Sequence, residues 1–180
     1  MSLLGILSNE EVSNEYVLSK IIRYNHRCRL QDESVAEHSF FVSLFCLKIM
    51  SQLNLDKETE RNVLIKAALH DTSECLTSDI PHDVKVRYNK MRAILDDIES
   101  EYYNQYWEKY KESLNQSDNI VEYIVKLADC YSVYQYCLNE KHLGNCSKEI
   151  DEITKDAVQR ILEYTGKINR LLKAKAGDIK

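Results

Sequence analysis

A chain of 180 residues with 44% apolar and 29% charged side chains has the balance of a globular protein with a substantial core. The scarcity of glycine (4) and proline (1) argues against a turn-rich β fold and for long helices. A net charge of −5 argues against binding to polymeric nucleic acid, which needs a basic face, but permits a small phosphorylated ligand in a locally positive pocket.

In chain order, Ser8-Asn9-Glu10-Glu11 has the form of a capping box and predicts a helix running to about Tyr24. Asn25 to Asp32 is polar and basic and reads as a loop. Ser34-Val35-Ala36-Glu37 is a second capping box, opening an apolar helix that continues to Leu53. Within it, the run Phe40 to Met50 is too short to cross a bilayer and contains Ser43 and Lys48. Asp56 is the expected N-cap of a helix from Lys57 to about Asp71. The stretch Cys75 to Pro81 breaks the pattern. An amphipathic helix is expected from about Asn89 to Ser113, with a stripe of Tyr102, Tyr106 and Tyr110 that reads as core or subunit contact. Two further helices are predicted over Asp118–Glu140 and Ser147–Lys175, separated by Gly144 and Asn145.

No segment alternates as a strand, and no repeat or linker is visible. The expectation is an all-α fold, a helical bundle of roughly five to seven helices, forming a single domain over residues 1–180. Met1 to Asn9 carries no positive charge, which argues against a signal peptide. The cysteines at 28, 46, 75, 130, 137 and 146 show no CxxC pairing and read as reduced thiols in a cytoplasmic protein.

Four residues carry the chemistry. His70 and Asp71 are adjacent at the end of an apolar helix, His38 lies near the start of another, and Asp129 sits among Val125-Lys126-Leu127-Ala128. A lone histidine on an apolar helix is usually a hydrogen-bonded core residue, and an isolated His-Asp pair is a weak signal. The set is stronger. Burying unpaired carboxylates and imidazoles is costly, and convergence of all four on one divalent cation removes that cost. Mixed nitrogen and oxygen donors suit Mn, Co, Fe, Ni or Zn better than calcium.

These segments, with Ile22-Arg23-Tyr24, Ser34 to Ser39, the string from His70 to Pro81, and Val84-Lys85, resemble the HD-domain phosphohydrolases, and within them the bacterial 5′-deoxynucleotidases of the YfbR type. The resemblance spans about Ile21 to Glu140. It implies an HD-type bundle, a homodimer, and one divalent transition metal ion held by His38, His70, Asp71 and Asp129. It further implies Glu74 as the catalytic glutamate, Asp79 as a second acidic residue beside it, and Arg23 as the ligand of the substrate phosphate. Tyr24 stands where the family often has a tryptophan near the sugar, and Ser78 where a glycine is common. Lys85 is a further candidate for the phosphate.

The function implied is hydrolysis of nucleoside 5′-monophosphates, the deoxyribonucleotides above all, by an enzyme with a small-molecule nucleotide partner and no membrane partner. Two alternatives remain beside it. A phosphodiesterase or a hydrolase of hyperphosphorylated guanosine nucleotides would want a denser basic cluster. A non-catalytic nucleotide-binding HD module would have no need of both Glu74 and Asp79.

Overall fold

The computed structural model describes residues 15–115 and 119–177. The α-helices among them are α1 (Val35–Met50), α2 (Lys57–Leu69), α3 (Glu74–Thr77), α4 (His82–Arg87), α5 (Asn89–Tyr106), α6 (Lys111–Leu114), α7 (Ile120–His142) and α8 (Lys148–Gly177). The fold is all-α. Among the described residues there is no strand, only an antiparallel bridge between Ile22 and Ser34.

The helix starts follow their caps. Ser34 accepts from the Glu37 N–H while Glu37 returns a bond to the Ser34 N–H, so the second capping box is complete. Asp56 caps α2 through the Thr59 N–H, and Asn119 caps α7 through the Glu122 N–H. The first capping box, at Ser8, lies outside the described residues. The helix expected to reach Tyr24 does not: Glu15–Ser19 is a single 3-10 turn. Beyond it the chain extends, because the Arg23 N–H donates to Glu33 and the Val35 N–H to Ile21.

The helix expected over Asn89–Ser113 is also broken. α5 stops at Tyr106, Trp107 leaves the helical region, and a 3-10 turn over Glu108–Tyr110 precedes α6. The reason is packing. Tyr102, Tyr103 and Leu114 are buried together with Trp107 and Tyr110 packed against them, an arrangement one straight helix would splay. The tyrosine stripe is therefore largely core.

The main core lies between α1, α2, α7 and α8. Val42, Cys46 and Met50 meet Val63 and Ala67, Ile124, Val125 and Ala128, and Ile168. The long helices α7 and α8 form a hairpin closed by Gly144, whose φ of 103° is open to glycine at no steric cost. All six cysteines are unbridged; Cys46, Cys130 and Cys137 are buried, and Cys28 and Cys146 are exposed. No helix among the described residues is long and apolar enough to cross a membrane.

Glu140, near the end of α7, is fully buried and holds the loop that precedes α1. Its carboxylate accepts from the Leu30 N–H at 2.9 Å, the Gln31 N–H at 2.8 Å and Asn145 Nδ2 at 2.7 Å. Glu140→Ala strands those donors and is expected to lower stability by about 3 kcal/mol, read from a urea unfolding curve. An unchanged midpoint would show that the loop satisfies its amides in another way.

Candidate metal centre and active site

Three elements bring the predicted ligands together. His38 points inward from the first turns of α1 and is completely buried. His70 and Asp71 follow the last residue of α2, where the helix ends and the chain turns into α3. Asp129 projects from the middle of α7. Ligand atoms of His38, His70 and Asp71 all lie within 4.8 Å of one another. His38 Nε2 is 3.2 Å from Asp129 Oδ1 and 3.7 Å from Asp71 Oδ2, and His70 Nε2 is 3.1 Å from Asp71 Oδ2.

Both Nε2 atoms are buried, and neither makes a hydrogen bond of acceptable geometry among the described residues. Buried polar atoms are almost always satisfied. Two imidazole nitrogens and the Asp71 carboxylate, gathered with no hydrogen bond at either Nε2, fit a divalent cation, with the Asp129 carboxylate beside them against His38. The other ring nitrogens are occupied in the way such ligands require. His70 Nδ1 lies 2.8 Å from the Ala67 carbonyl, an acceptor that keeps a proton on Nδ1 and turns Nε2 to the site, where a bound cation would take the place of its proton. His38 Nδ1 lies 3.1 Å from Ser132 Oγ, and Arg23 Nη1 also approaches it.

Without a cation, one imidazole of the cluster is neutral and the other is charged. Burial, then the Arg23 charge, push His38 down to about 4, so its imidazole is neutral. His70 is raised to about 9, because the Asp71 carboxylate outweighs the burial that opposes its charge. Asp71 and Asp129 are held well below the usual carboxylate range despite burial, Asp71 chiefly by His70 and Asp129 chiefly by His38. The site therefore presents ionised carboxylates inside the protein.

A cavity of about 50 Å³ adjoins this cluster, with His70, Asp71, Glu74 and Lys85 among its lining residues. Glu74 is only 8% exposed, and its Oε1 lies 3.4 Å from Lys85 Nζ. Burial, then the nearby Asp71 charge, raise the Glu74 carboxyl to about 8. Lys85 thus faces Glu74 at the cavity. Arg23 sits on the far side of His38, paired with Glu33 Oε2 at 3.1 Å. Tyr24 stacks on Tyr136, with ring centroids 5.0 Å apart, so one face of the ring is already covered. Its backbone N–H donates to Asp79 Oδ2 at 3.2 Å, which joins the Arg23 segment to the loop after α3.

A sequence profile of the YfbR-like 5′-deoxynucleotidase family matches residues 16–173. The chain belongs to this family. It is similar to a 5′-deoxynucleotidase of Shewanella oneidensis, 30% identical over 131 residues that cover 64% of this chain and 66% of that one. A 5′-deoxynucleotidase of Photobacterium profundum is 28% identical over 128 residues, 63% of this chain and 65% of the relative. The match thus spans slightly less than two thirds of either relative's length. Among solved structures, an HD-domain phosphohydrolase from Listeria innocua superposes with a TM-score of 0.68 at 20% identity, covering 94% of this chain and 86% of that one. The HD phosphohydrolase of cyanophage S-2L, bound to dA and one catalytic zinc ion, superposes with a TM-score of 0.72 at 16% identity, over 94% and 98% of the two chains. These structures share the fold.

Tyr24 and Ser78, where the resemblance leads one to expect other residues, meet at one contact. Tyr24 and Ser78 are the non-glycine residues with positive φ among the described residues, at 55° and 63°, and the Tyr24–Asp79 bond lies between them. Ser78 combines that φ with a ψ of 172°, a region nearly reserved for glycine and costing about 1–3 kcal/mol otherwise. Ser78→Gly relieves the strain but loosens the unfolded chain. A net gain of about 1 kcal/mol is expected in thermal unfolding; a loss would mean that the serine is not strained.

Sequence reasoning missed Glu33 and Ser132. Ser132 lies one turn beyond Asp129 on the same face of α7, a spacing that could have revealed it. Glu33 carries no such signal, since only the folded bridge at Ile22–Ser34 brings it to Arg23. Arg29, in the basic loop before α1, is engaged by Asp32 Oδ1 at 2.6 Å and the Tyr24 carbonyl at 3.3 Å.

Proposed function

We propose that the protein hydrolyses nucleoside 5′-monophosphates, deoxyribonucleotides in particular, to nucleoside and inorganic phosphate. The observation that carries this reading is the pair of buried, unbonded Nε2 atoms set among ionised carboxylates and beside Glu74, in a chain of the YfbR-like family. The curated relatives named as 5′-deoxynucleotidases and the phage neighbour with bound dA point to the same substrate class.

In this reading His38, His70, Asp71 and Asp129 hold one divalent cation, of the Mn, Co, Fe, Ni or Zn type. When bound, the cation neutralises charge on the phosphoryl oxygens and acidifies a nearby water. Glu74, facing the same cavity, orients the attacking water and takes its proton. Burial favours the protonated carboxyl, and Lys85 at 3.4 Å opposes this, keeping the base form accessible. Asp79 stands by the leaving 5′ oxygen, held in place by the Tyr24 amide. Arg23 offers its guanidinium to the phosphate, a role for which a planar fork is better suited than an ammonium; Glu33 sets the resting position of that fork. Tyr24 borders the sugar.

The bond between phosphorus and the 5′ oxygen breaks as water oxygen bonds to phosphorus, and the proton from water ends on the departing nucleoside oxygen. The test is phosphate release from deoxynucleoside 5′-monophosphates by metal-stripped protein resupplied with Mn²⁺ or Co²⁺. Release is expected from 5′-monophosphates and much more slowly from 3′-monophosphates. Equal rates would defeat the assignment.

A further inference from the structure

The carbonyls of a helix's last turn have no partner within the helix. In α2 two of these groups flank the His70–Asp71 pair: the Leu69 carbonyl belongs to the peptide before His70, and the His70 carbonyl to the peptide between His70 and Asp71. The Tyr103 hydroxyl, reaching across from α5, shares its one hydrogen between them, 3.0 Å from Leu69 O and 3.0 Å from His70 O, and the Glu99 carboxyl bonds the same hydroxyl. The ring is 6% exposed and fixed edge-on to Tyr102, with centroids 6.2 Å apart.

The two carbonyls are not equally dependent on it. Leu69 O also accepts from the Thr72 N–H at 3.1 Å and from Thr72 Oγ1 at 2.7 Å. At His70 O, Tyr103 is the one donor among the described residues. The peptide from which both side chains branch is therefore anchored through one phenol.

We propose that Tyr103 is a positioning residue of the metal centre: its hydroxyl fixes the His70–Asp71 peptide, and so the angle at which imidazole and carboxylate converge. The inference rests on the reading of His70 and Asp71 as ligands. A peptide rotation of a few degrees moves two ligand atoms at once and in different directions, an error that no single side-chain rotation corrects. Residues that orient ligands in this way typically contribute about 10–100-fold to metal affinity.

The test is Tyr103→Phe, which keeps the ring and removes one oxygen, with Tyr102→Phe as its control. Tyr102 belongs to the same cluster, but its hydroxyl donates to Glu15. Co²⁺ affinity is measured by titration, and ligand geometry by the visible absorption of the Co²⁺-loaded protein. For Tyr103→Phe the expected result is about tenfold weaker Co²⁺ binding and a changed absorption envelope. The metal-free melting temperature is expected to fall by about 2–6 °C, because His70 O loses its donor while Leu69 O keeps the Thr72 bonds. Tyr102→Phe is expected to bind Co²⁺ like the parent. If Tyr103→Phe binds with the parent's affinity and spectrum, or if Tyr102→Phe loses as much, the inference is overturned while the ligand reading stands. A parent protein that takes up no Co²⁺ overturns the ligand reading, and this inference with it.

Discussion

Glu74→Ala is expected to reduce phosphate release by about a thousandfold while the protein retains its metal. The two parts of this expectation come from different observations. Glu74 is not among His38, His70 and Asp71, whose ligand atoms are mutually within 4.8 Å, and unlike Asp129, which meets His38 Nε2, its carboxylate is turned to Lys85, so its removal leaves those donors intact. Yet it lines the same cavity as His70 and Asp71, close enough to act on a water there. Its carboxyl is raised to about 8 by burial and by Asp71, a value suited to accepting a proton near neutral pH. Glu74→Gln should be as inactive as Glu74→Ala, since an amide preserves shape but accepts no proton. Metal analysis beside the kinetics checks the assignment: a variant that loses its metal would make Glu74 a ligand.

His70→Ala is expected to lose both bound metal and activity, with affinity falling by more than about a hundredfold, beyond the range typical of residues that only orient ligands. Asp129→Ala should behave alike. Stability separates this outcome from simple misfolding. A ligand that binds only the folded state stabilises it by about 2.7 kcal/mol at a hundred times its Kd. Chelator-treated parent protein should therefore melt lower and recover on addition of Co²⁺, whereas His70→Ala should show no rise. A His70→Ala protein that Co²⁺ stabilises as it does the parent would remove His70 from the site.

The parts of this molecule legible in its sequence are those set by neighbouring residues. The Ser34–Glu37 capping box declares the start of α1, and with it the placement of His38 in the first turns. The apolar run from Leu64 to Leu69 declares α2, and with it His70-Asp71 at a helix end. That His38 is neutral depends on burial and on the Arg23 charge, which only the folded chain brings to it. What stayed hidden depends on contacts between distant segments. Glu33 meets Arg23 only after Ile22 pairs with Ser34. The Tyr103 hydroxyl finds the end of α2 only because α5 packs there. The break at Trp107 follows from how aromatic side chains crowd together, which helical periodicity does not encode.

The buried carboxylate at the end of α7 has a consequence for motion. Surface loops are ordinarily the first segments to open, with amides that exchange quickly against solvent. Leu30 and Gln31 hand theirs to Glu140, about which the α7–α8 hairpin is closed. Local melting of this loop is thereby tied to the much rarer opening of that hairpin. Arg23 and Tyr24 lie at the near end of that same loop.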